Sequence, residues 1–328
     1  MPNFRLEAKQ ESFALLDVFT IARGSKTHAH VIFVSLTKDG ISGRGEGLPY
    51  NRYQETPELC LEQLNSAGQD LCDGLDMEAV LAKLPFGAAR NALDCAFWDW
   101  QAKSSGRSVA QSLNLYPLKP LITAYTISLD EPEIMAHKAA QKTQYPVLKL
   151  KIGRADDIAA IEAVHKAVPQ ARLIIDGNEA LSLHDLNHMA PDCAKLGVSL
   201  IEQPLAQSMD EALFDYRGPI ALCADESLHT SHDLESIHKL YKVINIKLDK
   251  TGGLTEALVL KQKAQKMGLG VMIGCMVATS LSMAPAFMLA QDALWVDLDG
   301  ALLLSQDRSY PMAANGPLLM PPSNALWG

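Results

Sequence analysis

From Lys151 to Asp297 the chain repeats one pattern, in which a short continuous apolar run ends and the next ends 22 to 28 residues later. Runs of this length read as strands covered on both faces, and the polar stretches between them have the length of helices. With the run that precedes the series, eight strands are expected, at 121–129, 147–151, 172–176, 198–202, 220–225, 243–247, 268–275 and 294–297. Eight parallel strands at roughly the period of a (β/α) unit fit a closed barrel better than an open sheet. A length of 328 residues suits one large α/β barrel or two packed domains.

The first third has a different texture. The β-branched and aromatic run 30–36, the turn Lys38-Asp39-Gly40 and a second run into Gly43-Arg44-Gly45-Glu46 predict an antiparallel meander. Residues 88–103 then place Ala89, Ala92, Leu93, Ala96, Phe97 and Trp100 at helical spacing, which predicts a helix packed by one face. The piece after Gly300, rich in Pro, is expected to fold back onto this N-terminal part.

Charge excludes some partners. The balance is 29 Lys+Arg against 38 Asp+Glu, net −9, and no basic run offers a line of phosphate contacts, so nucleic acid is not expected. No apolar stretch reads as a signal peptide or a membrane span, so a cytoplasmic, soluble chain is expected. The six cysteines are scattered without a C-x-x-C pair and read as reduced thiols.

The chemistry gathers at the strand ends, where barrels place their active sites. In order, the ends carry Lys149 and Lys151, Asp176, Glu202, Asp225, Lys247, and Asp297 with Asp299. Three consecutive strands ending in carboxylates set three hard oxygen ligands side by side, a grouping suited to Mg²⁺ or Mn²⁺ and costly to bury without a cation. Lys149 and Lys151 lie two apart on one strand and share a face, while Lys247 enters from across the barrel. Two lysines flanking a metal can serve as acid and base on either side of a carbon whose carboxylate is bound there. Neighbouring cations are expected to lower their pKa values.

These residues resemble the enolase superfamily, its muconate-lactonizing-enzyme-like subgroup, and within it the dipeptide epimerases of the L-Ala-D/L-Glu type. The matching strings are Lys149-Leu150-Lys151, Asp176-Gly177-Asn178-Glu179, Glu202-Gln203-Pro204, Ala224-Asp225-Glu226-Ser227, the stretch from Asn245 to Gly253, and Asp297-Leu298-Asp299-Gly300, with Gly45-Glu46 and Ala89 to Cys95 in the first third. The resemblance implies an α/β protein with an α+β capping domain (1–117, joined by 305–328) on a modified (β/α)₇β barrel (118–304). It implies Asp176, Glu202 and Asp225 as ligands of Mg²⁺, Lys151 and Lys247 as the two bases, and Lys149 as a holder of the substrate carboxylate. Asp297 and Asp299 resemble a clamp for a dipeptide's α-ammonium group. Phe19 and Arg23 match positions that contact the epimerised residue, an arginine there suits the second carboxylate of a Glu or Asp residue, and Thr126 resembles a substrate-lining position. The activity implied is epimerisation of the C-terminal residue of a dipeptide such as L-Ala-D-Glu through an enediolate, in the recycling of murein peptides. Two departures stand out: Asp-Gly-Asn replaces the common Asp-Ala-Asn, and Ala278-Thr279 stands where some relatives carry Glu-Ser.

Other readings stay open at this level. N-succinylamino acid racemases, o-succinylbenzoate synthases and cycloisomerases share the lysines and acids but generally lack the Asp-x-Asp pair. A metal-free Schiff-base aldolase on Lys151 or Lys247 and a non-catalytic binding protein are further alternatives. Lys250, Asp249 and Glu226 are read as support for their neighbours. His28-x-His30 and His184-xxx-His188 lack a third ligand in sequence and are read as ordinary histidines. The dipeptide preferred and the oligomeric state, a homo-oligomer included, are not fixed by these residues.

Overall fold

The computed structural model describes residues 3–328. Three antiparallel strands, β1 (Arg5–Ile21), β2 (Gly24–Lys38) and β3 (Ile41–Gly47), open the chain in the spatial order β1-β2-β3. Helices α1 (Pro57–Cys72), α2 (Met77–Lys83) and α3 (Ala88–Ser105) pack on this sheet around Ile32, Val34, Leu36, Leu64, Val80 and Leu93. Thr56 caps α1 by accepting from the Leu59 amide, and Pro57 stands at its first turn, the arrangement that satisfies free N–H groups at a helix start. The alternating glycines of β3 have a packing reason. A Cβ on Gly43, Gly45 or Gly47 would run into the carbonyl oxygens of Ala96, Ala92 and Ala88, so sheet and helix α3 meet backbone to backbone.

The meander is one strand larger than expected. Strand β1 went unread because its inward positions, such as Ala8 and Glu11, carry little apolar contrast on a half-exposed edge. Phe19 lies in the last residues of β1 before the turn, and Arg23 sits in the turn between β1 and β2.

After β4 (Leu121–Ile122) come the barrel strands β5 (Tyr125–Ile127), β6 (Val147–Lys151), β7 (Arg172–Asp176), β8 (Val198–Glu202), β9 (Ala221–Ala224), β10 (Val243–Ile246), β11 (Gly270–Gly274) and β12 (Trp295–Asp297). They pair in parallel in sequence order from β5 to β12. The ends approach through Ala124 N donating to Val296 O at 2.8 Å, which nearly closes the barrel. The run 121–129 is therefore two elements. Leu121–Ile122 joins a separate small sheet with β13 (Ala314–Asn315) and β14 (Leu318–Leu319), and only Tyr125–Ile127 enters the barrel. Hydropathy is continuous across Thr123 and Ala124, so it could not show that break.

Beyond Gly300 the chain returns to the sheet and helices of the first third. Ser305 N donates to Ala14 O at 2.9 Å, Trp327 Nε1 to Cys95 O at 3.0 Å, and Gly328 N to Asp99 Oδ1 at 2.8 Å. No helix of the described residues is long and apolar enough to cross a membrane.

Gly45→Ala tests the close approach of β3 to α3, where neither backbone can yield. It is expected to cost about 3 kcal/mol or more, read as a lowered Tm with the secondary structure retained.

Candidate active site

A strand's period of two decides what the barrel holds. Val147, Ile174, Leu200, Cys223, Val243, Met272 and Trp295 form an apolar layer inside it. Two residues further along the same strands, facing the same interior, stand Lys149, Asp176, Glu202, Asp225, Asn245, Gly274 and Asp297. The charged layer thus rests on a dry floor.

Asp176, Glu202 and Asp225 are buried and offer carboxylate oxygens that all lie within 4.8 Å of one another. Four ammonium groups surround them. Lys151 Nζ donates to Asp176 Oδ2 at 2.6 Å, and Lys247 Nζ to Asp225 Oδ2 at 2.6 Å. Lys149 Nζ, 1% exposed as a residue, lies 3.1 Å from Asp176 Oδ2, 2.7 Å from Glu202 Oε2 and 2.9 Å from Asp297 Oδ2. Lys250 Nζ donates to the Asp225 carbonyl and to its Oδ1. Lys250, read from sequence as a support, therefore holds a triad carboxylate directly. In the order of the sheet, Lys151 stands on the strand beside Asp176 and Lys247 follows the strand beside Asp225, so the two flank the triad.

The electrostatics are those of a crowded, dry charge cluster. Burial raises the Asp176 and Asp225 carboxyls, but the lysines outweigh it and hold both below the usual range. Burial and then the Asp176 charge push Glu202 up to about 7. Burial lowers Lys149 and Lys247, but Asp297 and Glu202 for the first, and Asp225 for the second, outweigh it and raise both above the usual lysine range. For Lys247 the lowering expected near neighbouring cations is thus reversed by the carboxylates. Glu202 Oε2 is buried with no hydrogen-bond donor among the described residues, although Lys149 stands at ion-pair distance. Three buried carboxylates, one with an unmet oxygen, fit a hard divalent cation.

Neighbours fix the triad in place. Gln203 Oε1 accepts from the Asp225 and Ser227 amides at 2.9 and 3.1 Å, and Asn245 Nδ2 donates to Glu202 Oε1 at 2.8 Å. Asp176 Oδ1 accepts from the Asn178 amide at 3.0 Å. Asn178, Glu179 and Gln203 all take positive φ (42°, 69° and 32°), a sparsely populated conformation for such residues that clusters at functional sites.

Above the charged layer opens a cavity of about 520 Å³, ample for a dipeptide-sized ligand. Its walls include Thr126, Asp297, Asp299 and Cys275 from the barrel and Phe19, Arg23, Lys26, His28 and His30 from the β1–β2 hairpin. Asp299 Oδ2 accepts from the Thr126 amide at 2.6 Å, and burial with the Asp297 charge pushes Asp299 up to about 7. Among the described residues Asp297 keeps one buried oxygen without a donor. His28 and His30 stack with ring centroids 6.1 Å apart, as do His184 and His188 at 6.4 Å. Neither pair belongs to a cluster of three metal-ligating side chains among the described residues.

The hairpin separates two cations that sequence did not. Arg23 lines the mouth, yet its guanidinium is occupied by Asn178 O at 2.7 Å, Glu226 Oε1 at 2.7 Å, Tyr50 Oη at 3.0 Å and Glu179 Oε2 at 3.2 Å. Lys26, directly opposite Phe19 in the ladder and 5.5 Å above its ring, lines the cavity and has no ion pair or hydrogen bond among the described residues. Burial and then the Lys151 ammonium pull its pKa down to about 8. Sequence reasoning missed Lys26. The signal was its alternation with Gly24 and His28, visible only once β1 is recognised as a strand.

Comparison with known proteins agrees with this arrangement. The family model described as mandelate racemase / muconate lactonizing enzyme, N-terminal domain, matches residues 9–113, and the enolase C-terminal domain-like model matches residues 134–307. The chain belongs to the enolase superfamily. It is 42% identical to an N-acetyl-D-glutamate racemase of a Pseudoalteromonas species, over 91% of this chain and 95% of that one. It is 40% identical to the L-Ala-D/L-Glu epimerase of Escherichia coli K12, over 91% and 94%. An enolase family member from Agrobacterium tumefaciens with homology to dipeptide epimerases, solved with sodium and L-Ala-L-Glu, superposes with a TM-score of 0.97 at 44% identity, covering 99% of this chain and all of that one. The first two of these relatives are a racemase and an epimerase, and the chain is an isomerase.

Titration with a divalent cation is expected to raise Tm, by the equivalent of about 2.7 kcal/mol at roughly a hundredfold excess over Kd. Glu202→Gln should abolish most of that rise, as followed by thermal unfolding with and without EDTA.

Proposed function

We propose that the protein is a Mg²⁺-dependent dipeptide epimerase that inverts the α-carbon of a C-terminal acidic residue, with L-Ala-D/L-Glu as its substrate pair. The observation that carries this is the placement of Lys151 and Lys247 on the two flanks of one carboxylate triad, beneath a mouth lined by Asp297 and Asp299. Proton transfer from both faces of one carbon needs two such groups; an aldolase needs one.

The residues divide the work as follows. Asp176, Glu202 and Asp225 would hold Mg²⁺, with Mn²⁺ as a substitute, and the bound cation would supply counter-charge to the substrate carboxylate as electron density moves onto it. Lys149 faces the same carboxylate from below. One of Lys151 and Lys247, as free amine, takes the α-proton, and the pair of electrons left on the α-carbon delocalises into the carboxylate as an enediolate. The other, as ammonium, returns a proton to the opposite face. Asp297 and Asp299 receive the α-ammonium group, and Thr126 fixes Asp299 through its backbone amide. Phe19 covers the stem of the epimerised side chain. Lys26, which has no ion pair or hydrogen bond among the described residues, meets its distal carboxylate, a role that the sequence alone suggested for Arg23. Such dipeptides belong to murein turnover, and we place the reaction there.

A second reading has support of its own. The 42% identity to an N-acetyl-D-glutamate racemase, and Asp297 already paired with Lys149, favour N-acyl glutamates as substrates of the same site.

Proton NMR in D₂O with Mg²⁺ separates the readings. Loss of the Glu α-proton with epimerisation of L-Ala-L-Glu, abolished by EDTA, is the expected result; turnover of N-acetyl-glutamate alone would replace the dipeptide reading, and no exchange with either would reject both. Lys151→Ala and Lys247→Ala should each lower epimerisation by about 10³-fold or more in both directions, and normal turnover by either variant would sink the two-base assignment. Lys26→Met should raise KM for L-Ala-L-Glu about tenfold to a hundredfold while changing L-Ala-L-Ala little. Because Lys26 is charged below its pKa of about 8, the preference for the acidic dipeptide should be full below that pH and decline above it. A ratio of kcat/KM values that is flat from neutral to alkaline pH would remove Lys26 from the site.

A further inference from the structure

We propose that the free edge of β1 is a docking site for a second copy of this chain, the two β1 strands pairing antiparallel about a two-fold axis at Ala8. In the N-terminal sheet β1 is an edge strand. From Arg5 to Phe13 one side of its main chain pairs with β2, and on the other side no hydrogen bond reaches it among the described residues. The first contact on that side comes at Ala14, whose carbonyl accepts from Ser305. Every second N–H and C=O of residues 5–13 therefore faces outward, a template that an added strand fills.

Charge decides which strand. The period of two puts Arg5, Glu7, Lys9 and Glu11 on one face, and the unbroken register with β2 over this stretch keeps them there. The side chains of Arg5, Glu7 and Lys9 are 77%, 61% and 63% exposed. Within the strand Arg5 meets Glu7, and Lys9 meets Glu11 at 2.8 Å, contacts between exposed groups that are worth little. A second copy laid antiparallel offers better. In the register whose residue numbers sum to 16, Arg5 faces Glu11 and Glu7 faces Lys9, and the two-fold axis repeats both pairs. A slip of two residues either way sets Glu7 against itself or Lys9 against itself, with Arg5 facing Lys9 or Glu7 facing Glu11 beside it. Like charges directly opposite destabilise a pair of strands. A row of lysines on an edge repels every copy, whereas this alternation repels the neighbouring alignments and accepts one. Glu11, 22% exposed, also meets Arg308 Nη1 at 2.6 Å, so the central Glu7–Lys9 pairs carry the specificity. On the other face of the strand, Ala8 meets its own copy on the axis and brings neither charge nor bulk.

The test is sedimentation equilibrium of the full chain, whose mass is 35.7 kDa, from about 1 µM to about 100 µM. A mass that rises with concentration to twice that value is expected. Lys9→Glu turns both central pairs into facing carboxylates, and Glu7→Lys turns both into facing ammonium groups. Each should weaken association about tenfold or more. Combining the two exchanges the charges, which again face their opposites, and should restore association to within about threefold of the parent protein. In about 1 M NaCl, where the screening length falls to about 3 Å, the gap between parent and single variants should narrow. Amides 5–12 should exchange more slowly at the higher concentration in the parent protein and not in Lys9→Glu, which locates the contact. Both substituted side chains are exposed, so the variants are expected to keep the parent's Tm. A parent protein that stays monomeric at about 100 µM, single reversals that associate as the parent does, or a combined variant as weak as the singles each overturns the pairing. No arm uses a substrate, so the outcome is independent of the proposed function.

Discussion

Seven acidic and basic side chains stacked on an apolar floor are the constraint around which the molecule is arranged. Lys149, Lys151, Lys247 and Lys250 interleave with Asp176, Glu202 and Asp225, each ammonium touching at least one carboxylate. Burying any one of them alone would cost several kcal/mol, so no member is dispensable to the others. The cost is kept tolerable by geometry: parallel strands deliver these groups at one height, Asn245 donates to Glu202 Oε1, and Gln203 holds the Asp225 backbone by accepting from its amide. A cluster of this kind adds little net stability and specifies a chemical surface.

The N-terminal part is bound to the barrel by the same device of a buried acid meeting backbone amides. Asp249, two residues past Lys247, accepts from Leu48 N and from Asn91 Nδ2 at 2.8 Å each. Asp94 on α3 accepts from Thr255 N and Oγ1, and Glu46 at the end of β3 accepts from Thr279 N and Oγ1 and from Arg308. Asp249 thereby positions the backbone that carries Lys247, and Glu46 positions the turn after β11 that carries Cys275 into the cavity wall. Cap and barrel share a boundary at which hydrogen bonds set the angle and apolar contacts supply the adhesion.

Much of this was legible in the residues. The strand-end acids and lysines announce themselves because a parallel strand is apolar until it leaves the core, so the first charge marks both the end of the strand and the mouth of the barrel. Lys149 and Lys151 were readable as a pair for the same reason. What sequence could not give lay where local pattern and tertiary role part company. Residues 121–129 read as one strand because hydropathy does not record a change of sheet, and β1 was hidden by its half-exposed edge. Arg23 and Lys26 are both cations near one turn, and only their partners separate them. Arg23 is held by barrel loops more than 150 residues away in sequence, which no spacing rule reaches.

The dry floor has a consequence for isotopes. Val147, Ile174, Leu200, Cys223, Val243 and Met272 seal the barrel below the lysines, so water reaches their ammonium groups only from above, past the hairpin. The exchange of those protons with the solvent then runs through the mouth that also admits a ligand. In the proposed reaction, a proton taken up by one of these lysines has its way to bulk water through that mouth alone, so the fraction of it returned to product reports how well a bound ligand stoppers the cavity.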